Sequence, residues 1–491
     1  MPTHKGLRER RASSVQVNAR YNMMKITFVG HAGILVEAGG VLVLSDPWWR
    51  GPCFGAQWWG YPLPYVEALE SRKIDYIYIS HGHSDHLHPG TLQTLAKDTK
   101  VLVSARTGLG PAIRDLGFEV IEIDDDEAVG LGKDGLACRI METHAGDTLM
   151  TLADRHEVCV NLNDALHSAP RAVQDDFIAR LRAIHPRMDY VFCGYGIASH
   201  FPNCYVIPAK DREATTARRQ AYFNRQWARL IAELNPVYGF PFAADVVFLE
   251  DDLFWVNEAT HNTERPTQAY QLEYAGSSVI VKDIAPGFVI ENGVVTADVL
   301  RKPVLASDLR SVFAEQIERA NRYGSVDDDA VRQVVALLNS NRDACAESLE
   351  SYAEDYRFLL RLRNSDLGIV VEKRGRSVIV TAQAAASDAI FDVIYTTRLA
   401  YLRWALTRPY GDEILFVGSG GVVEYSELRG AKKNLHRELI QLISKQNSPR
   451  KQGFGRDSRT LRAAQDFVKR AIGRKPDRDL YDLVEWTVFR N

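Results

Sequence analysis

The stretch "SHGHSDHLH", residues 80–88, limits what this chain can become more than any other part of it. It follows "RKIDYIYI", whose alternating apolar residues predict a strand over 72–80, and it precedes "PGTLQTLAKD", whose spacing predicts a helix. Four histidines and an aspartate therefore crowd a strand-to-helix loop. Side chains two apart on a strand end point the same way, so His81 and His83 can chelate one ion, while the next turn aims Asp85 and His86 at a second. Imidazole nitrogen with carboxylate oxygen suits zinc, iron or manganese and does not by itself choose among them.

A loop of this kind needs a rigid sheet beneath it. From Met24 an apolar alternation breaks at Gly39-Gly40 and resumes, which is the pattern of a β-hairpin. Further strands are predicted at 100–105, 117–123, 136–144, 157–164 and 188–195, with helices at 172–184 and 212–234, a mixture that implies layered α/β architecture. Beyond residue 290 the pattern changes. Residues 307–363 carry helical periodicity, followed by strands near 367–382 and 414–426. The expected organisation is a disordered basic tail over 1–22, a catalytic domain over 23–290 and a smaller mixed α/β C-terminal domain over 291–491.

Composition excludes several classes. A net charge of −3 over 491 residues gives no global attraction to nucleic acid or an anionic membrane. Residues 429–475 are the local exception, with fourteen Lys and Arg against three acids; they read either as a phosphate-binding surface or as a solvated basic one. No run of about 18 apolar residues exists to span a bilayer, and no secretory leader is visible, so a cytoplasmic location is expected. Cys53, Cys138, Cys159, Cys193, Cys204 and Cys345 form no C-x-x-C pair, which argues against a zinc ribbon or disulfide scaffold and for buried thiols.

The H-x-H-x-D-H loop, His144 in "METHAGDT" and Asp164 in "VCVNLND" together resemble the metallo-β-lactamase superfamily. The resemblance implies an αββα sandwich of two sheets with helices outside. It also implies that His81, His83 and His144 hold one metal, that Asp85 and His86 hold another, and that Asp164 bridges them. "SDPWWRGPCFGAQWWGYPLP", "IDYIYISHGHSDHLHPGTLQTL", "THAGDTLM", "GYGIASHFPNCY" and "GFPFAADVVFLEDDLFWVNEAT" are most similar to the metallo-β-lactamase-type domain of CMP-N-acetylneuraminate hydroxylase, an oxygenase family. That likeness covers about residues 24–265.

Two departures stand beside it. No cysteine lies in the C-x-H type pair that a Rieske cluster needs, so electrons would come from an external reductase. Asn163 occupies the position before the bridging aspartate, where hydrolytic members have glycine. For the last ligand the candidates are Glu250, Asp251, His261 and His200, and a carboxylate there would favour iron. His31 and Asp46 are candidates to orient the ligands, His88 to cap the helix that begins at Pro89, and Trp48 and Trp59, with Trp49, Phe54 and Trp58, to line a substrate rim or to pack against the C-terminal domain. Two enzymatic readings result. One is an oxygenase with two iron ions and O2 as co-substrate, acting on a polar, nucleotide-linked small molecule. The other is a dinuclear zinc or manganese hydrolase of a phosphodiester, ester, lactone or amide. A homodimer is compatible with either; a membrane or nucleic-acid partner is not expected.

Overall fold

A computed structural model describes residues 24–425 and 442–443, apart from 71, 126, 144–145, 197–199, 208–210, 323–325, 351–354, 385–387 and 409–410. The tail over 1–22 and almost all of the basic segment 429–475 lie outside the described residues.

Two mixed sheets face one another. The first runs Val294–Ala297, Val289–Glu291, Lys25–Gly30, Gly33–Ala38, Val41–Ser45, Tyr76–Tyr78, Lys100–Ser104, Glu119–Ile123 in spatial order. The second runs Ile280–Val281, Tyr238–Phe242, Tyr190–Gly194, Val158–Asn163, Thr148–Ala153, Leu136–Glu142, Val129–Leu131. Alternate residues of each strand go to opposite faces. Phe28, Ile34, Val36 and Val43 point inward against Ile140, Met150, Leu152, Phe192 and Phe240 of the facing sheet. Their neighbours Val29, Leu35 and Leu44 point outward and are covered by Leu92 and Ile113. The helices Arg171–Ile184 and Arg212–Leu234 cover the outer face of the second sheet through Phe177, Leu181, Trp227 and Ile231. The layering is αββα, the metallo-β-lactamase fold.

A third sheet is ordered Tyr205–Val206, Gly421–Tyr425, Val393–Thr397, Tyr356–Leu362, Leu367–Arg374, Ser377–Ala384. Helices Asp328–Glu350 and Leu399–Thr407 pack on it through Val331, Val334, Leu338, Leu402 and Leu406. Its edge strand Tyr205–Val206 comes from within the N-terminal half and pairs in parallel with Val423 and Glu424.

Several elements differ from the sequence-based expectation. Helical periodicity was expected through 363, yet Tyr356–Leu362 is a strand, because "YRFLLRL" pairs on both sides and buries Tyr356, Phe358 and Leu360 on one face. Within 414–426, Glu413–Phe416 is a helical turn and only Gly421–Tyr425 is strand. The helix after the histidine loop is a single turn, Pro89–Leu92. Residues 289–291 pair with Lys25–Thr27 and residues 294–297 pair with 289–291, so both strands belong to the first sheet, which leads us to place the domain transition near residue 300 rather than at 290.

Candidate metal centre

The strand Tyr76–Tyr78 runs parallel between Val41–Ser45 and Lys100–Ser104, deep in the first sheet, and delivers Ser80 and the histidine loop at its C-terminal end. At the same rim the second sheet delivers Asn163 and Asp164 from the end of Val158–Asn163. Three non-glycine residues here have left-handed backbones, His31 (φ 48°), Asp46 (φ 36°) and Asn163 (φ 49°). Such conformations cost energy and persist where surrounding contacts over-determine them.

His81 Nε2 and His83 Nδ1 approach to 2.8 Å, so the two rings present their nitrogens to one point. His86 Nε2 lies 3.3 Å from Asp85 Oδ2 and 3.4 Å from Asp164 Oδ2. Its other nitrogen, Nδ1, is 3.1 Å from Asp46 Oδ2. Asp46 also accepts hydrogen bonds from the Ser80 backbone N–H (2.8 Å) and from Asn163 Nδ2 (2.7 Å). A carboxylate behind an imidazole fixes its tautomer and leaves the opposite nitrogen free to bind a metal. On the other side, His31 Nε2 is 3.0 Å from Asp85 Oδ2. Two overlapping groups, His31/Asp85/His86 and His81/His86/Asp164, each bring three donor atoms within 4.8 Å of one another.

Burial shapes the charges. It pushes His81 down to about 4, with His86 repulsion adding to it, and pushes His83 to about 4, with His81 adding. Both imidazoles are therefore neutral near pH 7, the form that binds metal. Burial opposes ionisation of Asp85, but His86 and the hydrogen bond to His31 outweigh it and hold the carboxyl well below the ordinary range. Burial likewise opposes charge on His86, yet Asp85 and Asp46 raise it well above the ordinary histidine value.

Donor atoms left without partners test whether a metal fits. Asp85 Oδ1, His86 Nε2, Asp164 Oδ1 and His167 Nδ1 are all buried and make no hydrogen bond among the described residues. An unpaired buried polar atom costs about 1–3 kcal/mol, and several converging ones mark a place built for a cation. A set of imidazoles and carboxylates fits zinc, iron or manganese.

His167 was missed by the sequence reading. It sits in the turn after Val158–Asn163, three residues beyond Asp164, and a Cβ on Gly194 would come within 3.0 Å of Asp164 Oδ1 and 3.1 Å of His167 Nδ1. Glycine at 194 thus makes room for both side chains. The Asp-x-x-His spacing was the available signal. Asp147 was also missed; burial raises its carboxyl and the nearby Asp164 carboxylate adds to the rise.

Other expected residues lie elsewhere. His144 lies outside the described residues. Glu250 and His261 are not part of either donor group. Glu250 accepts a hydrogen bond from Tyr401 (2.8 Å) and lies 3.4 Å from Arg398. His261 donates from Nε2 to Val246 O (2.7 Å) and accepts from Arg301 at Nδ1 (3.1 Å), so both its nitrogens are committed. The Asp251 side chain is exposed, and its backbone N–H bonds Asn321. His200 is buried against Tyr205 and Phe416. His88 caps the turn Pro89–Leu92, accepting from Thr91 N at 3.0 Å. Of the aromatic loop, Trp48 packs edge-on against His31, Trp58 is buried in a strand pair with Val246–Phe248, and Trp59 packs at a tilt against Phe313. These rings pack the loop against the histidine rim on one side and against Val246–Phe248 and Phe313 on the other.

Residues 25–156 match the family model described as beta-lactamase superfamily domain. A putative Rieske 2Fe-2S iron-sulfur protein from Mycolicibacterium smegmatis is 28% identical over 250 residues, 48% of this chain and 46% of its own length. The cytidine monophosphate-N-acetylneuraminic acid hydroxylase of Asterias rubens is 41% identical over 75 residues, 15% of this chain and 12% of that protein. The chain thus spans about half the length, or less, of these curated relatives. Among solved structures, CmlA, a diiron beta-hydroxylase from Streptomyces venezuelae, aligns at 18% identity over 55% of this chain and 54% of its own, with a TM-score of 0.37. Igni18, a metallo hydrolase from Ignicoccus hospitalis, aligns at 18% identity over 54% of this chain and 97% of its own, with a TM-score of 0.38. Residues 25–156 of this αββα chain thus match a beta-lactamase superfamily domain model, with partial sequence similarity to the cytidine monophosphate-N-acetylneuraminic acid hydroxylases.

Proposed function

We propose that this protein is a metal-dependent oxygenase that hydroxylates a polar small molecule at a two-iron centre. The observation that carries the reading is the buried convergence of unpartnered donors, in which Asp85 and Asp164 stand among the histidines. A carboxylate-rich set of this kind suits iron better than an all-imidazole one. His81, His83 and His144 would hold one ion, and Asp85 with His86 the other. Asp164 would lie between them, and His167 is the best-placed further donor. Bound iron would supply electrons and open coordination positions for activating O2 toward a C–H bond.

The chain's own residues do the positioning. Asp46 fixes the His86 ring, with Ser80 and Asn163 holding Asp46 in turn. His31 steadies Asp85 from the opposite side. The packed aromatic loop, with Trp48 and Phe54 against the histidine rings, keeps water from that flank. A separate reductase would supply the electrons, and the iron–sulfur name of the Mycolicibacterium smegmatis relative supports a redox partner of that kind. Five described cysteines are free and buried, which suits a reducing, cytoplasmic setting. A nucleotide-linked substrate and a homodimer complete the reading.

A second reading, a dinuclear zinc hydrolase, is favoured by the neutral, all-imidazole His81–His83 pair; zinc there would supply a hydroxide nucleophile near neutral pH. Elemental analysis of anaerobically purified protein from metal-replete cells, with iron spectroscopy before and after O2, separates the two. Two irons per chain that respond to O2 support the oxygenase. Zinc that stays bound with no O2 response sinks it and sends the search to ester and phosphodiester substrates.

A further inference from the structure

A cavity of about 760 Å³ opens in the C-terminal half, walled by the first turn of helix Asp328–Glu350 and by helix Leu399–Thr407 with its flanks. Four arginines line it: Arg363, Arg398, Arg403 and Arg408. Arg363 pairs with Asp252, and Arg398 lies 3.4 Å from Glu250 and donates to the Ala320 carbonyl. These two guanidiniums are held in place from behind. Arg403 and Arg408 are exposed and pair with no acidic side chain among the described residues. The single carboxylate among the described lining residues, Asp327, already accepts from the Asp329 N–H at the start of its helix. Trp404 lies between the two exposed arginines in sequence and is 51% exposed, with the Arg408 guanidinium over its ring at 5.4 Å. Helix Leu399–Thr407 also starts without a side-chain cap, so its first N–H groups add to the positive end.

We propose that this cavity binds a phosphate-bearing small molecule, at a site separate from the metal centre. Guanidinium groups recognise phosphate through paired, charge-assisted hydrogen bonds, and the volume falls within the range of small-ligand pockets. Two braced arginines form the wall and two exposed ones close over the anion. Trp404 offers the apolar face that an organic phosphate would use and a bare inorganic phosphate would not. None of the lining residues belongs to the histidine–aspartate cluster, so this site is independent of which metal the centre holds.

The test is isothermal titration of the full-length, metal-loaded protein with inorganic pyrophosphate and with adenosine diphosphate, repeated on R403Q/R408Q and on W404A. Binding of either anion that weakens about tenfold or more in R403Q/R408Q supports the site. A further several-fold loss for adenosine diphosphate alone in W404A identifies the organic phosphate as the ligand class, whereas equal losses or none there point to the inorganic anion. Both arginines are exposed, so the variant is expected to keep its melting temperature and metal content, and both are measured alongside. The proposal is overturned if neither anion binds, or if R403Q/R408Q binds as tightly as the parent, which would place the anion at the metal centre.

Discussion

The histidine loop shows what single residues can and cannot reveal. His81, His83, Asp85 and His86 announce themselves by spacing, because a strand end presents alternate side chains to one side. Asp46 stands behind them, hydrogen-bonded to His86, Ser80 and Asn163. We expect D46N, nearly the same size, to keep the fold and to lower metal affinity roughly 10- to 100-fold, as loss of an orienting carboxylate does; chelator competition measures it, and an unchanged affinity would remove Asp46 from the centre's support. His261 gives a prediction of opposite kind. Burial, with Arg265 adding repulsion, pushes it down to about 4 from 6.5. Its folded form refuses a proton that the unfolded chain accepts between those values, so stability is present above pH 6.5 and falls as the pH drops toward 4. The contribution is on the order of 3 kcal/mol. Urea midpoints of the parent and of H261Q between pH 7 and pH 4.5 check it: the parent should lose stability more steeply than the variant. The sequence offered Glu250 and His261 as ligands because residue type and chain position suited them. Only the fold shows that Tyr401 with Arg398, and Val246 with Arg301, have already claimed their polar atoms.

At the level of elements, strands flanked by clear turns were readable and the chain after 300 was less so. "YRFLLRL" has apolar residues at spacings that satisfy a helix as well as a strand, and a partner on each side decides the matter. His167 was hidden for a related reason: its relation to Asp164 depends on a turn and on the missing side chain of Gly194, and a motif scan weighs neither. Close packing sets a further prediction. Helix Arg212–Leu234 lies so near the second sheet that a Cβ on Gly239 would come 2.7 Å from Ile231 Cγ2. G239A should therefore force the helix outward at a cost of about 1–3 kcal/mol. A lowered melting temperature, restored in part by adding I231A, is the expected result; an unchanged one would mean that the helix shifts freely.

Across the whole molecule, the two halves meet through chemistry rather than through apolar burial alone. Tyr401 and Arg398 reach Glu250, Arg363 reaches Asp252, and Ile414 sits where a side chain on Gly55 would be. This arrangement predicts that E250Q leaves metal content intact while lowering the denaturation midpoint, because it keeps the shape and removes the charge facing Arg398. Elemental analysis and thermal melts on one preparation distinguish this from a ligand role, in which metal would be lost. Such an interface could not be read from sequence, since Glu250 and Tyr401 are separated by 151 positions and no motif links them.

The strand Tyr205–Val206 lies within the N-terminal half yet forms the edge of the third sheet, beside Gly421–Tyr425. The C-terminal unit is for that reason no detachable cassette. A fragment ending near residue 300 would carry an orphan strand with no sheet to join, and the complementary fragment would present a bare row of backbone donors and acceptors, a template for aggregation. Recombination that trades such units between proteins would have to carry this two-residue loan along or strand it, which ties the inheritance of the two halves together.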